Sequence, residues 1–142
     1  MSSDPRFVHL RVHTEYSLMD GIVKIKPLMK ALTAASFPAV AITDVCNLFG
    51  LVKFIKAAFS SGIKPICGSD LPVLSPVGDG LPVWMTLLAQ NNTGYHNLTC
   101  LISRAYQEGQ VQGRAMVQRE WIVERSEGLI ALSGGFRGDI GR

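Results

Sequence analysis

The sequence has too little of several things to fit several broad classes. Its three cysteines, Cys46, Cys67 and Cys100, are odd in number, far apart and without a Cys-x-x-Cys pair. That excludes a disulfide framework and a zinc knuckle, and it points to a reducing compartment. No apolar run approaches the ~18 residues that a membrane span needs, so the 47% apolar content belongs to a buried core. Fourteen basic residues against eleven acidic leave a net charge of +3, too mild a surplus for the clustered footprint of a nucleic-acid surface. The opening Met-Ser-Ser-Asp-Pro-Arg has an acid and a proline where a secretory signal needs a basic start and an apolar stretch, so a cytoplasmic protein is expected. Gly134, Gly135, Gly138 and Gly141 do not form a dinucleotide fingerprint, and neither a Walker loop nor a Gly-x-Ser-x-Gly elbow occurs.

What is present is an alternation of β-branched runs with stretches of helical period, in a length that suits one globular domain. Phe7 to Val12 reads as a strand. Pro27 suits the first turn of a helix in which Leu28, Leu32 and Ala35 recur, ended by Phe37-Pro38. A second strand follows over Ala39 to Thr43. Leu48, Leu51, Val52, Ile55 and Phe59 then form an apolar stripe, with Lys53 and Lys56 facing away and Gly62 closing that helix. Ile63 to Cys67 is a third strand that Leu71 to Leu74 extends, and Ser75 to Gly80 has the composition of a turn or hairpin tip. Val83 to Ala89 is an apolar strand. Asn91-Asn92-Thr93 caps a helix with a buried face of Tyr95, Leu98, Ile102 and Ala105, which Gly109 to Gly113 interrupts. A shorter helix over Gln118 to Arg125 and a strand over Leu129 to Leu132 lead into a glycine-rich end. The alternation favours an α/β architecture, a parallel sheet covered by helices that is either open or closing toward a barrel. The pattern reads as the front portion of a larger unit, whose last strand would have an unpaired edge open to self-association.

Functional groups in such folds gather at the carboxyl ends of strands. Those ends carry His13, Asp44 and Asp70, with Asp20 in the loop after the first strand. Period-two alternation places Phe7, His9, Arg11 and His13 on one face of that strand. Three carboxylates and a histidine converging from separate strands form the one constellation suited to a divalent cation and an activated water. Plainer readings stand beside it: Asp44 and Asp70 as helix N-caps, Asp20-Gly21 as a turn, His9 as a partly buried imidazole and His96 as a surface residue. Cys46 with His13 would be a nucleophile and base, but a buried thiol is the stronger reading. Trp84 and Trp121 are taken as core or interface residues.

The run from Phe7 to Gly21, Phe-Val-His-Leu-Arg-Val-His-Thr-Glu-Tyr-Ser-Leu-Met-Asp-Gly, carries a resemblance. So do Ala41 to Asp44, Gly50 to Phe54, Gly62 to Gly68, Asn91 to Tyr95 and Gly128 to Gly135. The chain resembles the PHP (polymerase and histidinol phosphatase) domain at the amino terminus of bacterial DNA polymerase III alpha subunits, of the gamma-proteobacterial type. The resemblance implies a partial, distorted β/α barrel with helices outside and, in metal-binding members, a metal cluster at the strand ends. The family's His-x-His falls on Arg11 and His13, so one ligand has become a cation. Further ligand positions fall on Val45, near Trp84 and on Gly135. Asp20 and Asp44 match the pattern, Asp70 stands where members commonly have Glu, and a later Asp-x-His pair lies beyond this chain.

A guanidinium has no lone pair to offer and stays charged. Arg11 is therefore expected to repel a divalent ion and to pair with Asp44 or Asp70. On this reading His9, Arg11, His13, Asp20, Asp44 and Asp70 outline a vestigial pocket with no metal and no catalytic residue. The resemblance implies an enzyme, a DNA-directed DNA polymerase using magnesium, only for the longer parent, whose polymerase parts are absent here. This piece would be a scaffold that docks the epsilon proofreading exonuclease, with DNA and other replicase subunits reached through the parent and no membrane contact. The competing reading is a metal-dependent phosphoesterase or 3′-5′ exonuclease, holding zinc or manganese on His13, Asp20, Asp44 and Asp70.

Overall fold

A computed structural model describes residues 7–74, 82–138 and 140. Its organising element is a long strand, β2 (Lys64–Leu74), flanked by β1 (Ala39–Ile42) and β3 (Val83–Ala89), with β7 (Leu129–Ser133) beyond β3. β1 pairs with the first part of β2 in parallel, Ala39 opposite Lys64 and Ile42 opposite Cys67. The second part of β2 pairs with β3 in antiparallel register, Asp70 opposite Thr86. The sheet is therefore mixed, which corrects the expectation of parallel strands throughout. The link from β2 to β3 is too short for the helical crossover that parallel pairing requires. The turn expected over Ser75 to Gly80 lies outside the described residues.

Helix α1 (Ile25–Ala34) buries Ile25, Met29 and Leu32, which recur at helical spacing. Helix α2 (Leu51–Ser60) packs against β2 and α1, and Gly62, at φ +69°, supplies the left-handed residue just past its end. The face it buries is not the expected one: Leu51, Phe54 and Ala58 point inward, while Val52 and Phe59 are 66% and 70% exposed. α2 is apolar around much of its circumference, and packing against the sheet selects the arc in which small Ala58 permits close approach beside Phe54. Helix α3 (Asn92–Glu108) starts as expected, with Asn91 Oδ1 accepting from the Gly94 N–H at 2.9 Å. It buries Leu98, Leu101, Ile102 and Ala105 and leaves Tyr95 43% exposed, a second correction. The Gly109–Gly113 interruption is a hairpin of β4 (Gln110–Val111) and β5 (Arg114–Ala115), closed by Gln112 and Gly113, both at positive φ. β6 (Val117–Gln118) then joins the end of β2 in parallel and leads into α4 (Arg119–Glu124).

The expected first strand is an extended segment rather than a ladder. It runs along the free side of β1 through a His9–Val40 bridge and two bonds, Ala41 N–H to His9 O at 2.8 Å and Thr43 N–H to Val12 O at 2.9 Å. Two apolar clusters result. One lies under α1 and α2 around Phe54 and Val40, the other under α3 and α4 around Leu71, Leu87, Leu98 and Trp121. Among the described residues β7 has β3 as its one strand partner, so the sheet is open. The orientation of α2 is checked by a pair of substitutions. Phe54→Ala is expected to cost about 3–5 kcal/mol in urea unfolding, and Phe59→Ala less than about 0.5 kcal/mol; the reverse order would restore the stripe read from the sequence.

Candidate functional site

The end of β1 gathers the polar groups because three chain segments pass there side by side. The extended first segment ends at His13, and Thr14 opens a single 3-10 turn over Glu15–Ser17, its hydroxyl accepting from the Tyr16 N–H at 3.2 Å. Asp44 follows β1, and Val45 bridges to Asp70 on β2. Asp70 lies inside a strand and Asp44 precedes no helix, so neither is an N-cap.

Asp70 is 1% exposed and sits between β1 and β3. Arg11 Nε–H donates to its Oδ2 at 2.5 Å, and His13 Nε2 meets the same oxygen at 2.7 Å. Its other oxygen, Oδ1, accepts from the hydroxyl of Thr86, the residue directly opposite in the β2–β3 register. Burial alone would raise this carboxyl, but the bonds from His13 and Thr86 and the Arg11 guanidinium outweigh it and hold the group below the ordinary carboxylate range. His13 reaches the other way as well, Nδ1 to Asp20 Oδ2 at 3.0 Å. The hydrogen bond to Asp70 raises the imidazole above its ordinary value, against the opposing effect of burial and with help from the charges of Asp70 and Asp20. In the imidazolium so favoured, each ring N–H donates to one carboxylate.

Asp44 is equally buried but belongs to a separate set of bonds. Its Oδ1 accepts from the Thr14 N–H at 2.6 Å and the Ser17 hydroxyl at 2.8 Å, and its Oδ2 from the Thr14 hydroxyl at 2.8 Å. Arg11 therefore pairs with Asp70 and not with Asp44. Gly21 closes the loop tightly, since a Cβ there would fall 1.8 Å from the Thr14 carbonyl oxygen. His9 stands apart, exposed and stacked on Phe37 with ring centroids 5.3 Å apart, rather than partly buried or near the carboxylates. Cys46 is buried, and that burial pushes its thiol up to about 11, away from nucleophilic chemistry at neutral pH. Trp121 is core and carries Arg104 over its ring at 4.2 Å, His96 is exposed, and Trp84 with Asp20 and Val45 borders an open cavity of about 450 Å³.

Thr14, Ser17 and Thr86 were not singled out from the sequence. Thr86 carried a signal: it is the one hydroxyl in the otherwise apolar run from Val83 to Ala89. These residues do not fit a divalent cation. A guanidinium and an imidazole share Asp70 Oδ2, Thr86 holds Oδ1, and protein donors occupy both oxygens of Asp44. Among the described residues no group of three histidine, cysteine or acidic side chains has the arrangement of a metal site. Among the described residues no buried side-chain nitrogen or oxygen lacks a hydrogen-bond partner.

Comparison with known proteins agrees with this arrangement of elements. A family profile described as the PHP domain matches residues 9–142. The DNA polymerase III subunit alpha of Escherichia coli is 55% identical over 141 residues, 99% of this chain and 12% of that protein. Its counterpart from Vibrio cholerae is 51% identical over the same length and shares. The chain thus spans about 12% of the length of these relatives. A crystal structure from Bifidobacterium adolescentis, provisionally described as a metal-dependent phosphoesterase, superposes with a TM-score of 0.55 at 15% identity, over 73% of this chain and 34% of that one. That likeness concerns the fold.

Two measurements test the network around Asp70. Arg11 is 51% exposed, so Arg11→Ala should cost more than the ~1 kcal/mol of an exposed pair and less than the ~3–5 kcal/mol of a fully buried one; an unchanged melting temperature would remove the pairing. With Asp70 lowered and His13 raised, the carboxylate's contribution is present above about pH 4 and is lost as pH falls through its native value. The imidazole's contribution is complete below about pH 6.5 and is lost as pH rises through its raised value. Unfolding followed from pH 3 to 9 should therefore show His13→Asn flattening the alkaline limb, with little change from that limb in the wild-type comparison counting against the bridge.

Proposed function

Because the chain belongs to the PHP domain family, we propose that it is the amino-terminal part of the alpha subunit of a bacterial DNA polymerase III and acts there as a non-catalytic structural and docking module. The likeness to alpha subunits over nearly the whole chain supports the replicase setting. In that setting nucleotidyl transfer with magnesium belongs to other parts of the polymerase. The domain's work is to hold the subunit together and to dock the epsilon proofreading exonuclease, in the cytoplasm. No helix among the described residues is long and apolar enough to cross a membrane.

The observation that carries this reading is the Arg11 guanidinium bonded to Asp70, at a position where the family resemblance calls for a metal-ligating histidine. A guanidinium cannot bind a water and lower its pKa as a divalent ion does, because it has no vacant coordination position to offer. What Arg11, His13 and Asp70 do instead is tie the first segment to β2, while Thr86 ties β2 to β3.

Incubation of the purified chain with manganese or zinc, followed by desalting and metal analysis, tests the reading alongside assays on a phosphomonoester and a 3′-ended oligonucleotide. The expected result is well under one equivalent of metal and no turnover above the blank. Stoichiometric metal together with turnover abolished by Asp70→Asn would establish the phosphoesterase or exonuclease instead, acting through His13, Asp20, Asp44 and Asp70.

A further inference from the structure

We propose that the groove between α1 and α2 docks an acidic amphipathic helix of a partner protein. The groove has a volume of about 520 Å³ and is rimmed by Lys26 and Lys30 on α1 and by Lys53 and Lys56 on α2. Ile25, Met29 and Ala57 also line it, and among the described residues no acidic side chain does. Lys53 is already engaged, its Nζ 3.3 Å from the Tyr16 hydroxyl and 3.7 Å from a Glu15 carboxylate oxygen. Lys26, Lys30 and Lys56 make no ion pair among the described residues.

Like charges one turn apart on a helix repel by a few tenths of a kcal/mol, and here such a pair, Lys26 and Lys30, shares one trough with Lys56. That arrangement is relieved by an occupant bearing the opposite charge. The shape says more about the occupant. Ile25, Met29, Ala57 and the hydrocarbon stems of four lysines give the lining an apolar component beside four cationic head groups, so the matching ligand has an apolar stripe flanked by carboxylates. Lys26 and Lys30 lie about 6 Å apart along α1, the spacing of acidic side chains one turn apart on a helix laid along the groove. A nucleic acid fits less well, because among the described residues no aromatic ring lines the groove to stack a base and no arginine offers a bidentate donor to phosphate. The inference is independent of the Arg11–Asp70 pocket, which shares no residue with the groove.

Fluorescence anisotropy with the whole chain tests it. The probe is a labelled, roughly 18-residue helical peptide with leucines at i, i+3, i+4 and i+7 and glutamates beside them; the control carries lysines in place of the glutamates. Saturable binding of the acidic peptide at about 50 mM salt is expected, with clear weakening at about 500 mM and no binding of the control. The double variant Lys26→Glu, Lys30→Glu should lose about tenfold or more in affinity while keeping its melting temperature, since both positions are exposed. Lys56→Glu on the opposite rim repeats the test should the double variant fold poorly. No saturable binding up to about 1 mM, unchanged affinity in the variants, or tighter binding of a thymidine oligonucleotide would overturn the proposal.

Discussion

A carboxylate held away from water must be neutralised by protein, and Asp70 imposes that demand on the middle of the sheet. It is 1% exposed on the strand that joins β1 to β3, where an unpaired charge would cost several kcal/mol. Arg11, His13 and Thr86 meet the demand from two different sides. Because those partners come from the first segment and from β3, the chain cannot satisfy Asp70 without bringing three sequence-distant pieces together.

The same logic operates one strand over with neutral donors. Asp44 takes three hydrogen bonds from Thr14 and Ser17, and its backbone oxygen accepts from the Ser69 hydroxyl at 2.7 Å. The turn after the first segment is thereby fastened to the end of β1 and the middle of β2. The two carboxylates share a neighbourhood and divide the work. Asp44 holds the loop in place through hydroxyl and amide groups, and Asp70 holds the sheet together through charge. A cavity bordered by Asp20 and Trp84 remains beside them, and neither Asp44 nor Asp70 is among the residues that line it.

Much of the architecture was legible from local pattern. The ranges of β1, β3, α3 and β7, the Asn91 cap and the Gly62 stop depend on period, capping chemistry and backbone freedom, all of which are written in neighbouring residues. The permanent positive charge that Arg11 brings beside these carboxylates was legible too, because a guanidinium stays protonated in a protein. The buried face of α2 was not, since Val52, Phe54 and Phe59 are equally apolar and only the surface they meet distinguishes them. The antiparallel run of β3 followed from the short connection before it, a feature visible in the sequence but outweighed there by the alternation of strand and helix.

The amino-acid order by itself determined the element types, the presence of a permanent positive charge at position 11 and the shortage of imidazole and thiol ligands, because these are properties of single side chains and their near neighbours. The tertiary structure alone decided which carboxylate Arg11 meets, that Thr86 lies across from Asp70, and that Thr14 and Ser17 claim Asp44. Those are outcomes of strand register and of competition among donors some thirty to sixty residues apart, and a competition over that distance is settled only when the backbone has fixed who stands within reach.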